Sequence, residues 1–535
     1  MAEESVAAVS GESPLRRHLA WLLVCLAYVY VFPYYERLNN PNENVRIWAT
    51  RAVVEHGVLN IDQVSREWGW VNDKAIAGKR LYSSKAPGTS FVGVPVLFLH
   101  TKLRHLAGWP SPGKRATTFW LRLCTVELPL CIFLWFFAGY IERITRSAVA
   151  RDLLVVALGV GTLFYPYGVI FVGHSQAAAL AFSGYMLLSA GANASESSVA
   201  AGRSRPWASK TLAWAGFLTG LSVMFEYQAL LLAGVLAAYA AVRHRARVVS
   251  FVAGAVPPGI ALGAYHTALF GRPWTFPYAA IENPEFLRTG HSEGFHGLSI
   301  PKLPAIGQFL FASDYGLLVF SPVLFIGAAC AVYAAVRGPR REGVLIVAVC
   351  VVMFLFLSGM SNWRAGWCVG PRYITTVAPF LVAGVAHAWS KVRASFALSA
   401  LTAGLLIPSV TLNALSAAVY PHYPVQFNNP VFDLTLPLLG DGFIPYSLGQ
   451  VLHLPGLWSL APLAVALVVA VSLGASGSDV RPGRWAWHSG MAVMIAAVFL
   501  LPLSRYGRRP DPGEAQATAL VRSLWEPPPV AGARK

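Results

Sequence analysis

Charge is what this sequence has least of. Of its 535 residues, 13% are Asp, Glu, Lys or Arg, against about 25% in an ordinary soluble domain. Acidic side chains are the scarcer kind: 25 Asp and Glu face 42 Lys and Arg, for a net charge of +17. Such an excess in a soluble protein would point to nucleic acid, but the chain carries no RNA- or DNA-reading motif. Cysteine is also sparse. Cys25, Cys124, Cys131, Cys330, Cys350 and Cys368 lie in or beside apolar runs, and none belongs to a C-x-x-C pair. That excludes a disulfide framework or a cysteine metal site and leaves small buried hydrophobes. No H-E-x-x-H occurs, and the two histidines and one glutamate of residues 289–297 have no zinc spacing, so no metal site is assigned. No internal repeat is present.

Apolar residues dominate instead, at 55% of the chain and a mean hydropathy of +0.52. Apolar runs lie near 18–34, 117–140, 152–171, 175–193, 210–225, 227–242, 248–269, 316–336, 343–360, 373–390, 395–418, 456–475 and 486–503. Segments of roughly 17–25 apolar residues cross a bilayer as helices. The expected fold is therefore an all-α polytopic membrane protein with about thirteen transmembrane helices. The run from Phe91 to His100 is too short for a comfortable span and reads as interfacial or re-entrant. Leaving it out puts the basic loops at Arg143–Arg151, Arg203–Lys210, Arg243–Arg247, Arg337–Arg341, Lys391–Arg393 and Arg481–Arg484 on one side with Arg16 and Arg17. The positive-inside rule makes that side the cytoplasm. No small-residue cleavage site follows the first run, so it is expected to stay as the first helix. Residues 1–17 are then a cytoplasmic N-terminus and 18–503 one transmembrane domain, with a long first outer loop at 35–116. Residues 504–535, rich in Pro and charge, are expected to form an irregular or disordered outer tail. The expected location is the inner (cytoplasmic) membrane, with the active site on the outer face.

The first outer loop holds most of the polar chemistry. Asn40-Pro41-Asn42-Glu43 reads as a helix start, with Asn40 as cap and Pro41 at the first position, and Gly57 closes the segment. Arg46, Trp48 and Arg51 suit a helix lying in the membrane interface. Glu43 has two readings: a carboxylate that satisfies free amides at the helix start, or a general base at the membrane surface. Asp73 is either an ordinary turn residue or a second carboxylate for base or metal work. Lys85, before Ala86-Pro87-Gly88, is either a snorkelling interfacial lysine or a point charge for a phosphate.

Ionisable groups at membrane depth are functional candidates by default. His174, Glu226 with Tyr227, Arg122 and Glu127 fall at the ends of apolar runs. Arg122 and Glu127 equally suit structural pairing. The segment 361–372 packs Trp363, Arg364, Trp367 and Arg372 among helix breakers and leads into Tyr373. It reads as an aromatic belt with a turn, or as a cavity wall in which Trp stacks on a sugar and Arg364 and Arg372 hold a phosphate.

These residues resemble the GT-C superfamily of polytopic glycosyltransferases, and within it the group of the lipid A aminoarabinose transferase and the protein O-mannosyltransferases. Asn42-Glu43-Asn44-Val45-Arg46, with Ala49 and Gly57, is similar to that family's acidic pair, arginine, alanine and glycine in the first loop helix. Lys85-Ala86-Pro87 resembles its lysine-proline turn, which implies contact with donor phosphate. Arg122-Leu123, with Thr125 and Leu128, resembles the opening of its second span. Trp363 to Tyr373 resembles a Gly-Pro-Arg-Tyr loop of uncharacterised relatives. Two positions depart: the first acid of the pair is Asn42, and His174 stands where the family often has aspartate. The resemblance implies interfacial helices in the first outer loop and a polyprenyl-phosphate sugar donor.

The resulting expectation is an inverting membrane glycosyltransferase. It would move a sugar from a polyprenyl-phosphate donor to a lipid, glycan or protein acceptor outside the cytoplasm. Glu43 or Asp73 is the base. Lys85, Arg364 and Arg372 hold phosphate, and Arg46, Arg122, His174, Glu226, Tyr227, Trp363, Trp367 and Tyr373 line the substrate cavity. No cofactor is called for, although a divalent metal is compatible with Asp73. A lipid or small-molecule transporter is the alternative; it would set its polar site near the bilayer midplane, on broken helices and often on repeats.

Overall fold

Each of the thirteen apolar runs becomes helix for most or part of its length, because a backbone in hydrocarbon must satisfy its own hydrogen bonds. The computed structural model describes residues 13–35, 40–199, 206–291, 293–475, 484–505 and 511–526. The start of the chain and the basic loop residues Arg203, Arg205 and Arg481 lie outside the described residues. The fold is all-α, with two short two-stranded pairings as its only named sheets among the described residues. Among the described residues, six helices are long and apolar enough to cross a membrane: Lys114–Thr145, Val248–Phe270, Arg340–Gly359, Phe396–Ala418, Gly456–Ala475 and Trp485–Leu503. Ala229–His244 and Val323–Arg337 are shorter apolar helices. This is a multi-pass membrane protein.

Several runs depart from continuous α-helix. The run at 152–171 is helical only to Val160, and residues 161–173 continue as buried turns and bends. The run at 316–336 divides into Leu317–Phe320 and Val323–Arg337 around Ser321-Pro322. The run at 373–390 begins as a 3₁₀ turn, Arg372–Val377, before Ala378–His387. Gly, Pro and Ser supply these breaks. Phe91–His100 lies inside a 19-residue helix, Gly88–Leu106, which is not among the six.

Small residues set the closest helix packing. A Cβ added to Gly216 would lie 1.8 Å from the Phe251 carbonyl oxygen, and one added to Gly254 would lie 1.8 Å from that of Ala213. Helices Pro206–Phe225 and Val248–Phe270 thus meet backbone to backbone, which only glycine permits at those two points.

The first loop helix, Pro41–His56, is capped as its sequence predicts. Asn40 Oδ1 accepts from the Asn42 amide, Pro41 is at the first position, and Gly57 closes it at φ 65°. Its setting differs from expectation. Asn42, Glu43, Val45, Arg46, Ile47, Trp48, Thr50 and Ala52 are all buried. The Trp48 indole N–H donates to the Gly69 carbonyl at 3.0 Å. This helix is a buried strut with polar side chains satisfied inside the protein, not an amphipathic rod with a bare polar face. The tail is a second correction. Pro512–Ser523 is a helix, capped by Asp511. Val521 and Trp525 are buried, with Trp525 against Tyr35, Tyr420 and Phe443. Arg522 pairs with Asp441. The apolar set Ala517, Val521 and Trp525 gives this polar segment a docking face that net composition hid.

Candidate active site

The site is built on a hairpin. Strands Lys74–Ala77 and Arg80–Ser83 pair antiparallel around a turn at Gly78-Lys79, with Lys74 opposite Ser83. That register puts Asp73 beside Ser84 at the open end. The Ser84 amide and hydroxyl both donate to the Asp73 carbonyl, at 3.3 and 2.9 Å. Lys85 is the next residue, and its Nζ lies 3.2 Å from Asp73 Oδ2. The segment after residue 270 docks on the same hairpin. Ile281 bridges Ala75, the Glu282 amide donates to the Lys74 carbonyl at 3.0 Å, and Asn283 Nδ2 donates to Asn72 Oδ1 at 2.9 Å.

Asp73 and Lys85 open onto a cavity of about 960 Å³. Arg372, Trp367 and Tyr373 also line it, as do Trp70, Tyr278, His291 and His422. A void of that size holds a sugar phosphate. Arg372 is 7% exposed, its Nε has no hydrogen-bond partner, and no carboxylate pairs with it among the described residues. A buried guanidinium with no carboxylate bonded to it is costly; Asp73 acts on it only through space, so the position suits an incoming anion. Burial pushes the Lys85 ammonium pKa down; Asp73 opposes that, while Arg372 and Arg46 add to it. Tyr278 stacks on His291 with ring centroids 5.0 Å apart, and the Lys85 ammonium lies 5.8 Å from the Tyr278 ring centroid.

Glu43 is elsewhere. It is 0% exposed and does not line the cavity. Arg122 donates to its two oxygens at 2.7 and 2.8 Å, and the Phe171 amide donates to Oε1 at 2.7 Å. Burial would raise its pKa, but Arg122 and the Phe171 N–H hold it below the usual carboxylate value. Glu43 neither caps its own helix nor faces a substrate. It ties the first loop helix to the second span and to the buried segment 161–173. The partner of Arg122 is therefore Glu43, by side-chain hydrogen bonds, rather than Glu127.

Other sequence candidates brace the site without lining it. Arg46 donates to Asn42 at 2.9 Å, to Glu226 at 2.8 Å and to the Ala86 carbonyl at 2.8 Å, which pins the turn that presents Lys85. His174 Nδ1 lies 3.4 Å from Glu226. Tyr227 shares a hydrogen bond with His266 at 3.0 Å and packs on Tyr278. Arg364 is paired with Asp314 and is absent from the cavity wall, as is Trp363, which contacts Tyr315. Arg46, Arg122, His174, Glu226, Tyr227, Trp363 and Arg364, expected from sequence at the substrate, are thus not among the residues that line this cavity. The cause is the same throughout: each has a protein partner or lies behind the wall.

Trp70, Tyr278 and His422 were not singled out from sequence, and His291 was weighed only as a metal ligand. His422 offered a usable signal, as an ionisable residue in the outer segment 419–455, just beyond an apolar run. Among the described residues one group could hold a metal, Glu55, His56 and Glu67. It lies outside the cavity wall, and Arg51 pairs with both glutamates at 2.7 Å, so the residues present do not favour a cation.

No protein-family model and no curated protein matches the chain. Among solved structures, the chain is similar to the archaeal oligosaccharyltransferase AglB from Archaeoglobus fulgidus, in complex with an inhibitory peptide and a dolichol-phosphate. The TM-score is 0.44 and the identity 11%, over 79% of this chain and 57% of that one. It is also similar to ArnT from Cupriavidus metallidurans bound to undecaprenyl phosphate, with a TM-score of 0.41 and 15% identity over 90% and 76% of the two chains. This chain spans little more than half the length of the archaeal protein. The chemistry of the site is carried by its own side chains and not by these likenesses.

Proposed function

We propose that this chain is a membrane glycosyltransferase. It takes a sugar from a polyprenyl-phosphate donor and gives it to a hydroxyl of a lipid, glycan or protein outside the cytoplasm, in the cytoplasmic membrane. The observation that carries the reading is the meeting of Asp73, Lys85 and the unpaired Arg372 in one cavity with aromatic walls. The donor class rests on the local sequence resemblance at Lys85-Ala86-Pro87 and Gly370-Pro371-Arg372-Tyr373.

Asp73 is the base in this reading, and Glu43 is withdrawn from that role. Asp73 accepts the proton of the acceptor hydroxyl as its oxygen bonds to the anomeric carbon. The bond from that carbon to the phosphate oxygen breaks, and the electron pair leaves with the polyprenyl phosphate. Attack opposite the leaving group inverts the centre. Phosphate leaves as an anion and needs no proton, so one carboxylate suffices where a glycosidase needs two. Arg372 and Lys85 stabilise the charge that accumulates on phosphate. Trp367, Trp70 and Tyr373 offer faces for the sugar.

The test uses purified full-length protein, undecaprenyl phosphate carrying a radiolabelled sugar, and envelope membranes as the acceptor source. A panel of glucose, mannose and arabinose donors covers hexoses and a pentose. Label moves to an acceptor with wild type and not with Asp73→Asn. Equal transfer by Asp73→Asn removes the base from the proposal.

A further inference from the structure

The outer segment after Phe396–Ala418 carries a side chain that the chemistry above leaves unused. His422 is 1% exposed and forms part of the cavity wall. Neither Nδ1 nor Nε2 has a hydrogen-bond partner. A buried polar group without a partner is unfavourable and calls for an explanation. Tyr420 meets the ring edge-on at 5.6 Å and supplies no hydrogen bond. The charged groups within electrostatic reach are the Glu43–Arg122 pair and Arg372.

Burial and the two guanidinium groups outweigh Glu43 and hold the imidazole pKa down to about 4. The ring is therefore neutral at ordinary pH, with one nitrogen as donor and the other as acceptor. Phosphate asks only for donors, and Lys85 and Arg372 already offer those. A sugar hydroxyl both donates and accepts, and it complements a neutral imidazole. We infer that His422 is a specificity-determining residue that binds a hydroxyl of the donor's sugar, separately from the groups that bind its phosphate. This rests on the glycosyl-transfer reading above. The acceptor also carries a hydroxyl, so the experiment is run without any acceptor.

Equilibrium binding to the purified full-length protein in detergent is measured for bare undecaprenyl phosphate and for undecaprenyl phosphate linked to glucose, mannose or arabinose. Wild type binds at least one sugar-linked lipid about tenfold more tightly than the bare lipid. His422→Phe brings that preference to within twofold and leaves bare-lipid affinity unchanged. His422→Asn, which keeps a donor and an acceptor, retains part of the preference and guards against a packing defect in the Phe variant. A full preference in His422→Phe overturns the inference and shifts the hydroxyl to the acceptor. Equal weakening of bare and sugar-linked lipid in both variants overturns it in favour of a packing role. Wild type that binds bare lipid with no sugar preference overturns it alone, whereas wild type that binds no lipid overturns the glycosyl-transfer reading with it.

Discussion

Lys85 stands 3.2 Å from Asp73 across the open end of a hairpin, and that contact gives the cavity its chemistry. The pair puts a carboxylate and an ammonium side by side, the proposed base and the proposed phosphate-binding cation. Neither could do this from an irregular loop, because the register Lys74 to Ser83 fixes both. Arg46 then holds the Ala86 carbonyl from behind, so the lysine is presented from a braced turn.

The two carboxylates of the first loop separate by the kind of failure their loss causes. Asp73→Asn lowers transfer by about 10²–10⁴-fold, the usual contribution of a positioned base. Affinity for undecaprenyl phosphate changes little. Steady-state transfer alongside lipid binding checks this.

Glu43→Gln acts on folding. Breaking a buried ion pair on one side costs about 3–5 kcal/mol, and Glu43 is 0% exposed against Arg122. The melting temperature falls in Glu43→Gln and in Arg122→Met. The double variant is more stable than the sum of the single losses predicts, because it leaves no uncompensated charge. Thermal melts of the four proteins in the cycle measure that coupling.

Acid lowers stability through the same neighbourhood. His422 titrates at about 4 in the fold, against 6.5 when free, and Glu43 lies below its ordinary 4.5. Both folded values are depressed. The His422 contribution is complete above pH 6.5 and is lost as pH falls toward 4, because the unfolded chain binds the proton first. Glu43 adds a further loss below 4.5. Melting temperatures between pH 7.5 and 4.5 fall more steeply for wild type than for His422→Asn.

The C-terminal helix is held by its apolar face. Trp525 is 6% exposed against Tyr35, Tyr420 and Phe443, and Leu520 reaches the cavity wall. Trp525→Ala costs about 3 kcal/mol of docking. Limited proteolysis then cleaves between Ser504 and Trp525 faster than in wild type.

The helical framework was legible because long apolar runs admit few other structures, and the caps Asn40, Pro41 and Gly57 follow from local chemistry. The tail helix was hidden because net charge and proline outweigh three spaced apolar residues in a composition reading. The site was half legible. Asp73, Lys85 and Arg372 line the cavity, and Glu43 does not. Sequence could not rank the two acids, since the rank depends on Arg122 and the Phe171 amide, distant in the chain and bonded to Glu43. Arg364 and Arg372 likewise look equivalent in one short loop. Asp314 is bonded to the first, whereas no carboxylate among the described residues is bonded to the second.

That last pair offers the most direct test. Equilibrium binding of undecaprenyl phosphate, read by native mass spectrometry, is compared for wild type, Arg372→Gln and Arg364→Gln. The account predicts at least a tenfold loss for Arg372→Gln and a change within twofold for Arg364→Gln. Equal losses in both variants, or full binding by Arg372→Gln, would contradict it.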